Sequence, residues 1–287
     1  MKDAYPIDMH AHLRDKVLYH TGIAKDSGIG FVVAMPNVDP CLDNAEAIKR
    51  YVAQESAVPF AAMGAITVGR EGKKPVDVES IAPYVVGFTD DGNCLKDMKI
   101  LRDILEAEAG GEKVWVMLHC GEDSPYNTWP RKTTEPEWVE KAIETNRDAK
   151  GRLYIQHVSR KESVEKIAQA KKNGIDVTAE TCLHYVKWDR DTMRVPVNPS
   201  IGDSADREAI REAVSDGIID VLATDYAPEP RPKTTGIADW PNYRNDCLGL
   251  IADGLVDEER LITLIHDKPV EIISSSPGFI SGNIELP

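Results

Sequence analysis

Long apolar runs are missing from this chain of 287 residues. None approaches the roughly 20 residues that a membrane-spanning helix needs, and residues 1–6 carry no apolar stretch of the kind found in a secretory leader. Cysteine pairs are missing as well. Cys41, Cys94, Cys120, Cys182 and Cys247 are odd in number, scattered, and never spaced C-x-x-C. That excludes a disulfide framework and points to free thiols in a reducing compartment, so a cytoplasmic location is expected. Positive charge is in short supply: 34 Lys and Arg face 48 Asp and Glu, for a formal net charge of -14. Such a field repels nucleic acid and anionic lipid, and no basic cluster offsets it. Neither is expected as a partner. Internal repeats, low-complexity tracts and domain-boundary signals are also absent.

What the chain does have is alternation. With 42% hydrophobic and 29% charged residues it can bury one substantial core. Apolar, β-branched runs at 7–13, 30–35, 60–66, 84–89, 114–119, 152–157, 176–180 and 220–224 read as eight strands. Between them lie amphipathic segments such as 43–55, 95–108, 135–146, 161–172 and 205–216, with apolar residues at three-to-four spacing. The crossover after the third strand is only weakly helical, around 76–81. Parallel strands joined by crossover helices are the consequence. Eight such units in a chain of this length predict a (β/α)8 barrel, with a doubly wound open sheet as the alternative. A single domain over 1–287 is expected, with a final helix at 258–266 and a loose tail from Pro277-Gly278. Two long loops, 125–136 and 228–241, would lie over the active face.

Placed on that strand map, the metal-ligand residue types fall at strand ends. His10 and His12 sit on the first strand, two apart, so that both imidazoles face one way. Asp90-Asp91-Gly92 follows the fourth strand, His119 closes the fifth, His157 closes the sixth and Asp225 follows the eighth. Barrel enzymes assemble their chemistry at the carboxyl ends of the strands, so these residues converge. Imidazoles with two carboxylates suit two borderline divalent ions such as Zn2+, with positions left open for water. Each piece alone has a plainer explanation: a core histidine bonded to backbone, or an Asp-Gly turn. Of Asp90 and Asp91, one is expected to turn the chain and the other to bind metal. His20, His184 and His266 lie outside this pattern and are expected to be structural or surface residues.

The pieces D-M-H-A-H-L-R (8–14), A-M-P-N-V-D-P (34–40), G-F-T-D-D-G (87–92), L-H-C-G-E-D (118–123), Q-H-V-S (156–159), V-T-A-E-T-C-L-H-Y (177–185), V-N-P (197–199) and A-T-D-Y-A-P (223–228) occur in this order. Together they resemble the amidohydrolase superfamily, and within it the dihydroorotases that use an aspartate as bridging ligand. The resemblance spans nearly the whole chain. It implies two zinc ions, with His10 and His12 on the first, Asp91 bridging, and His119 and His157 on the second. It also implies that Asp225 is both a ligand neighbour and the catalytic base, and that Arg14, Asn37 and Asn198 contact substrate. Independently, a guanidinium fork suits a carboxylate and an asparagine amide can donate beside it. The implied reaction is reversible hydrolysis of dihydroorotate to carbamoyl-aspartate, a step of pyrimidine synthesis.

Two departures from the family pattern carry consequences. Where D-H-A-P-H is usual, Asp225-Tyr226-Ala227-Pro228-Glu229 stands here, so an acid replaces a histidine that contacts the substrate carboxylate. Arg231 or Lys233 would then compensate. The chain also shows neither the strands that usually precede the first motif nor a completed β-sandwich, which implies a compact, nearly bare barrel and favours a homodimer. Rival readings are a hydantoinase- or allantoinase-like enzyme acting on a ring without the carboxylate, and a catalytically silent barrel partnering aspartate carbamoyltransferase. Hydantoinase and allantoinase relatives carry a carboxylated lysine at the bridging position, and no lysine stands at this strand end.

Overall fold

In the computed structural model, residues 4–124, 132–193, 196–228 and 236–287 are described. Parallel strands form two runs. Ile7–Ala11, Phe31–Ala34 and Phe60–Ala62 pair in sequence order, as do Trp115–Leu118, Arg152–Ile155, Val177–Cys182 and Val221–Ala223. Parallel bridges from Phe88 to Gly64 and to Val116 join the two runs on one side, and a bridge from Ala11 to Tyr226 joins them on the other. The sheet therefore closes, and the fold is a TIM barrel. At the fourth position the expected strand over 84–89 is reduced to backbone bonds around Phe88: Phe88 N donates to Trp115 O at 2.9 Å and Met117 N to Phe88 O at 2.8 Å. Gly87 permits this close approach, since a Cβ there would lie 2.7 Å from the Trp115 carbonyl oxygen.

The apolar residues divide into two layers, as barrel geometry requires. Ile7, Met9, Phe31, Val33, Met35, Met63, Met117, Tyr154 and Val221 fill the lumen together with Ile272 and Ile273 of the helix Lys268–Ser274. Val32, Ala34, Val116, Leu118, Leu153 and Ile155 face outward into the ring of helices. Those helices begin where the sequence supplies caps. Asn44 accepts from Ala47 N, Asp97 from Ile100 N, and Asp203 forms a capping box with Asp206. Among the described residues, no helix is long and apolar enough to cross a membrane.

The carboxyl-terminal part differs from expectation. The helix starting at Glu258 continues through a π turn, Thr263–Asp267, into Lys268–Ser274, and Pro269, which has no N–H to donate, stands just after that turn. The tail is packed rather than loose. Pro277–Ile280 forms a short helix, and Gly278 sits so close to the 82–85 turn that a Cβ would lie 2.6 Å from Val85 O. The loops 125–136 and 228–241 fall partly outside the described residues.

Candidate active site

Strand alternation breaks on the first strand, and the break aims the histidines. Ile7 and Met9 point into the lumen, but Ala11 points outward, and the register against the second strand shifts between Asp8 and Ala11. A bulge of this kind redirects side chains next to functional sites. Here it leaves both His10 and His12 facing the mouth of the barrel. Asp8, fully buried, ties the strand to the eighth position. It accepts from Thr224 Oγ1 at 2.5 Å and Trp240 Nε1 at 2.7 Å, and burial lifts its pKa to about 6.

Each imidazole of that pair is held from behind so that its second nitrogen faces the pocket. His10 Nδ1 donates to Glu180 Oε1 at 2.9 Å, and Glu180 Oε2 accepts from Tyr154 OH at 2.7 Å. His12 Nδ1 donates to Asn37 Oδ1 at 2.8 Å, while its Nε2 lies 2.9 Å from Asp225 Oδ1. On the opposite wall His119 Nδ1 and His157 Nε2 point at each other at 2.9 Å. Asp91 lies between the two pairs. Its Oδ1 is 3.4 Å from His10 Nε2, 3.3 Å from His157 Nε2 and 3.7 Å from His119 Nδ1, and its Oδ2 is 3.5 Å from His12 Nε2. The expected ligand residues are thus all within one buried cluster. Asp90, its neighbour, faces away and accepts from Ile66 N, Thr67 N and Thr67 Oγ1. The two aspartates of Asp-Asp-Gly thus part: Asp90 holds backbone and Asp91 faces the imidazoles.

The donor set fits divalent cations. Among the described residues His10 Nε2 is buried without a hydrogen-bond partner, although it faces the Asp91 and Asp225 carboxylates at 3.4 and 3.6 Å. Two triads, His10–His12–Asp225 and His10–Asp91–His157, have ligand atoms close enough to surround an ion. Burial alone would strip charge from these groups. Instead Glu180, Asp91 and Asp225 reverse its effect at His10 and hold the imidazolium well above its usual range, while His10 and its neighbours hold the Asp91 and Asp225 carboxyls below theirs. A pocket that favours positive charge this strongly is one that cations would occupy.

Backbone strain concentrates here as well. Of the non-glycine residues with positive φ, Arg14 (53°), His157 (37°) and Asp225 (51°) belong to the cluster or its rim. Above the cluster a recess of about 110 Å³ is lined by His12, Arg14, Asn37, Asp91, Gly92, Asn198 and Asp225. Arg14 Nη1 donates to Asn37 Oδ1 at 2.9 Å, and Asn198 Nδ2 lies 3.4 Å from His119 Nε2. All three expected substrate contacts therefore border the ligand cluster. Glu229, Arg231 and Lys233 lie outside the described residues. His20 and His184 are buried, and His266 is half-buried with its Nδ1 on Tyr5 O. Glu180 is the residue that the pattern reading passed over. Its signal was the one charged residue in V-T-A-E-T-C, a strand that is buried along its length.

No family model matches the chain. Curated relatives do. A dihydroorotase of Desulfotalea psychrophila is 30% identical over 317 residues, covering 95% of this chain and 73% of that protein. The dihydroorotase of Streptomyces coelicolor is 32% identical and covers 92% of this chain and 67% of its own length. The chain belongs to the dihydroorotase family. Solved structures agree on the fold. The L-hydantoinase of Arthrobacter aurescens superimposes with a TM-score of 0.78 at 19% identity, covering 96% of this chain and 73% of that one. A dihydroorotase of Campylobacter jejuni gives 0.71 at 18% identity, with 94% and 83% covered. Membership in the dihydroorotase family makes the chain a cyclic amide hydrolase.

Proposed function

We propose that this protein catalyses the reversible hydrolysis of dihydroorotate to carbamoyl-aspartate with two zinc ions in the cluster. The observation that carries the reading is Asp91 seated between two imidazole pairs, with Asp225 at hydrogen-bond distance from His12. His10, His12 and Asp225 would hold the first ion, His119 and His157 the second, and Asp91 would bridge. When bound, such ions acidify water and polarise a carbonyl oxygen.

The chain's own residues do the rest. Arg14 and Asn37 grip the ring carboxylate, and Asn198 orients the ring from the opposite wall. Asp225 Oδ1, kept ionised by the imidazoles around it, takes the proton from the attacking water as the ring C–N bond breaks and hands it to the departing nitrogen. Glu180 fixes the His10 tautomer that leaves Nε2 free for metal. A metal analysis together with one turnover assay on dihydroorotate tests the reading. Two ions per chain and measurable hydrolysis are expected, whereas metal-replete protein without turnover would overturn it.

We extend the proposal to a cytoplasmic homodimer. Leu18 and Tyr19 on the first helix are 48% and 65% exposed, apolar surface that a second subunit would cover.

A further inference from the structure

A second, wider cavity of about 530 Å³ opens beside the ligand cluster and shares Gly92 and Asn198 with the smaller recess. Two cations line it. Lys96 is already engaged, its Nζ 2.7 Å from Glu122 Oε1. Arg70 is not. Its Nη2 donates to the main-chain oxygen of Asp91 at 2.5 Å, its Nε is buried with no hydrogen-bond partner, and among the described residues it makes no ion pair. Asp90 feels the Arg70 charge but forms no ion pair with it: its carboxyl accepts from Ile66 N at 2.9 Å, Thr67 N at 3.0 Å and Thr67 Oγ1 at 2.5 Å.

Position makes a guanidinium without an ion pair among the described residues informative. Gly92 lies on the floor shared by the two cavities in a left-handed conformation (φ 82°), and the point where its Cβ would stand is 3.3 Å from Arg70 Nη2 and 3.9 Å from Asn37 Nδ2. The missing side chain thus leaves a cradle with donors on two sides. Asn37 Oδ1 is occupied by Arg14 and His12, so its amide is turned with Nδ2 toward the cradle. Arg70 is itself in a left-handed conformation (φ 56°), pinned by Asn93 Nδ2 donating to its carbonyl oxygen at 3.0 Å. A non-glycine residue held this way at a pocket rim is a mark of functional placement.

We propose that Arg70, reaching over Gly92 from the loop after the third strand, is a second cationic contact for the substrate carboxylate and so a determinant of preference for an anionic ring. The inference rests on the dihydroorotase reading and deepens it. It also supplies, from a different loop, the positive charge that an acid at position 229 withholds.

The test uses the zinc-loaded full chain with Arg70→Met and Arg70→Lys, reading KM and kcat for dihydroorotate, the Kd of carbamoyl-aspartate by calorimetry, and metal content. Arg70→Met is expected to raise KM and Kd about 10–100-fold, the loss that follows removal of a charged hydrogen bond. In that variant kcat and metal content should stay near the parent values, and Arg70→Lys should recover most of the affinity. Unchanged KM and Kd would overturn the proposal. So would a joint fall of kcat and metal content with KM unmoved, because Arg70 would then act only by holding the Asp91 carbonyl. A parent protein that binds carbamoyl-aspartate but hydrolyses no dihydroorotate would instead overturn the functional reading, while the affinity comparison would still decide on Arg70. A parent that binds neither compound would overturn both.

Discussion

Asp225 combines the three properties a proton carrier in this pocket needs: burial, a strained backbone that aims it inward, and imidazoles that keep it ionised. Asp225→Asn should keep the fold and most of the metal but lower kcat by about 10²–10⁴-fold, since an amide cannot take up the proton. Steady-state kinetics beside zinc analysis checks this, and a variant within a few-fold of the parent rate would assign the base elsewhere. In the proposed function Arg14 serves recognition rather than chemistry. Its Nη1 shares Asn37 Oδ1 with His12, so Arg14→Met loses a charge and loosens the amide that also steadies a ligand. Loss of a buried, hydrogen-bonded charge pair costs on the order of 2–5 kcal/mol, which should appear mainly in KM for dihydroorotate. If dihydroorotate turnover is untouched, a ring without the carboxylate becomes the better substrate. These residues were legible in the sequence because their types are chemically narrow and they stand at strand ends. The choice of Asp91 over Asp90 was not legible from residue type, since both are aspartates in one turn. The family resemblance favours Asp91, and the backbone bonds that Asp90 accepts from Ile66 and Thr67 supply the physical reason.

At the scale of elements, the strand Val177–Cys182 does more than fill the barrel. Its Glu180 reaches two ligand strands at once, taking His10 Nδ1 and the backbone N of His157, the latter at 3.0 Å. Glu180→Gln would keep the size and one acceptor while removing the charge that fixes the His10 tautomer. Metal affinity should fall about 10–100-fold, the usual effect of losing a partner behind a ligating histidine. Competition against a chromophoric chelator measures it, and an unchanged affinity would reduce Glu180 to a packing role. The fourth strand illustrates why element boundaries were harder to read than element order. Its run of apolar residues suggested a full strand over 84–89, but the turn Ala82–Tyr84 and the close approach at Gly87 leave ladder bonds only around Phe88. The helix Lys161–Lys172, in contrast, matches its periodicity from end to end, because its apolar face meets the barrel with no competing demand.

For the whole molecule, the proposed ligands come from strands one, four, five, six and eight, so metal bound there would join both halves of the sheet. A ligand that binds only the folded state stabilises it by RT ln(1 + [L]/Kd), about 2.7 kcal/mol at a hundredfold excess over Kd. Chelation should therefore lower Tm by several degrees, and replacing His10 and His12 together should abolish most of that metal-dependent difference. Calorimetry with and without zinc checks both statements, and full metal content in the double variant would sink the ligand assignment. Light scattering at micromolar concentration tests the homodimer, which a strictly monomeric mass would contradict. By itself the sequence determined the barrel and named residues that the structure gathers into one cluster, because alternating strand and helix periods admit few closed architectures and because such architectures gather strand ends. Only the tertiary structure decided what turns Asp90 away from the imidazoles, that Glu180 stands behind His10, that the carboxyl-terminal segment is packed, and that Arg70 borders the Gly92 cradle. Those facts depend on a one-residue register shift and on which backbone donors a side chain meets across the barrel. Contacts between residues far apart in the chain leave no local pattern to read.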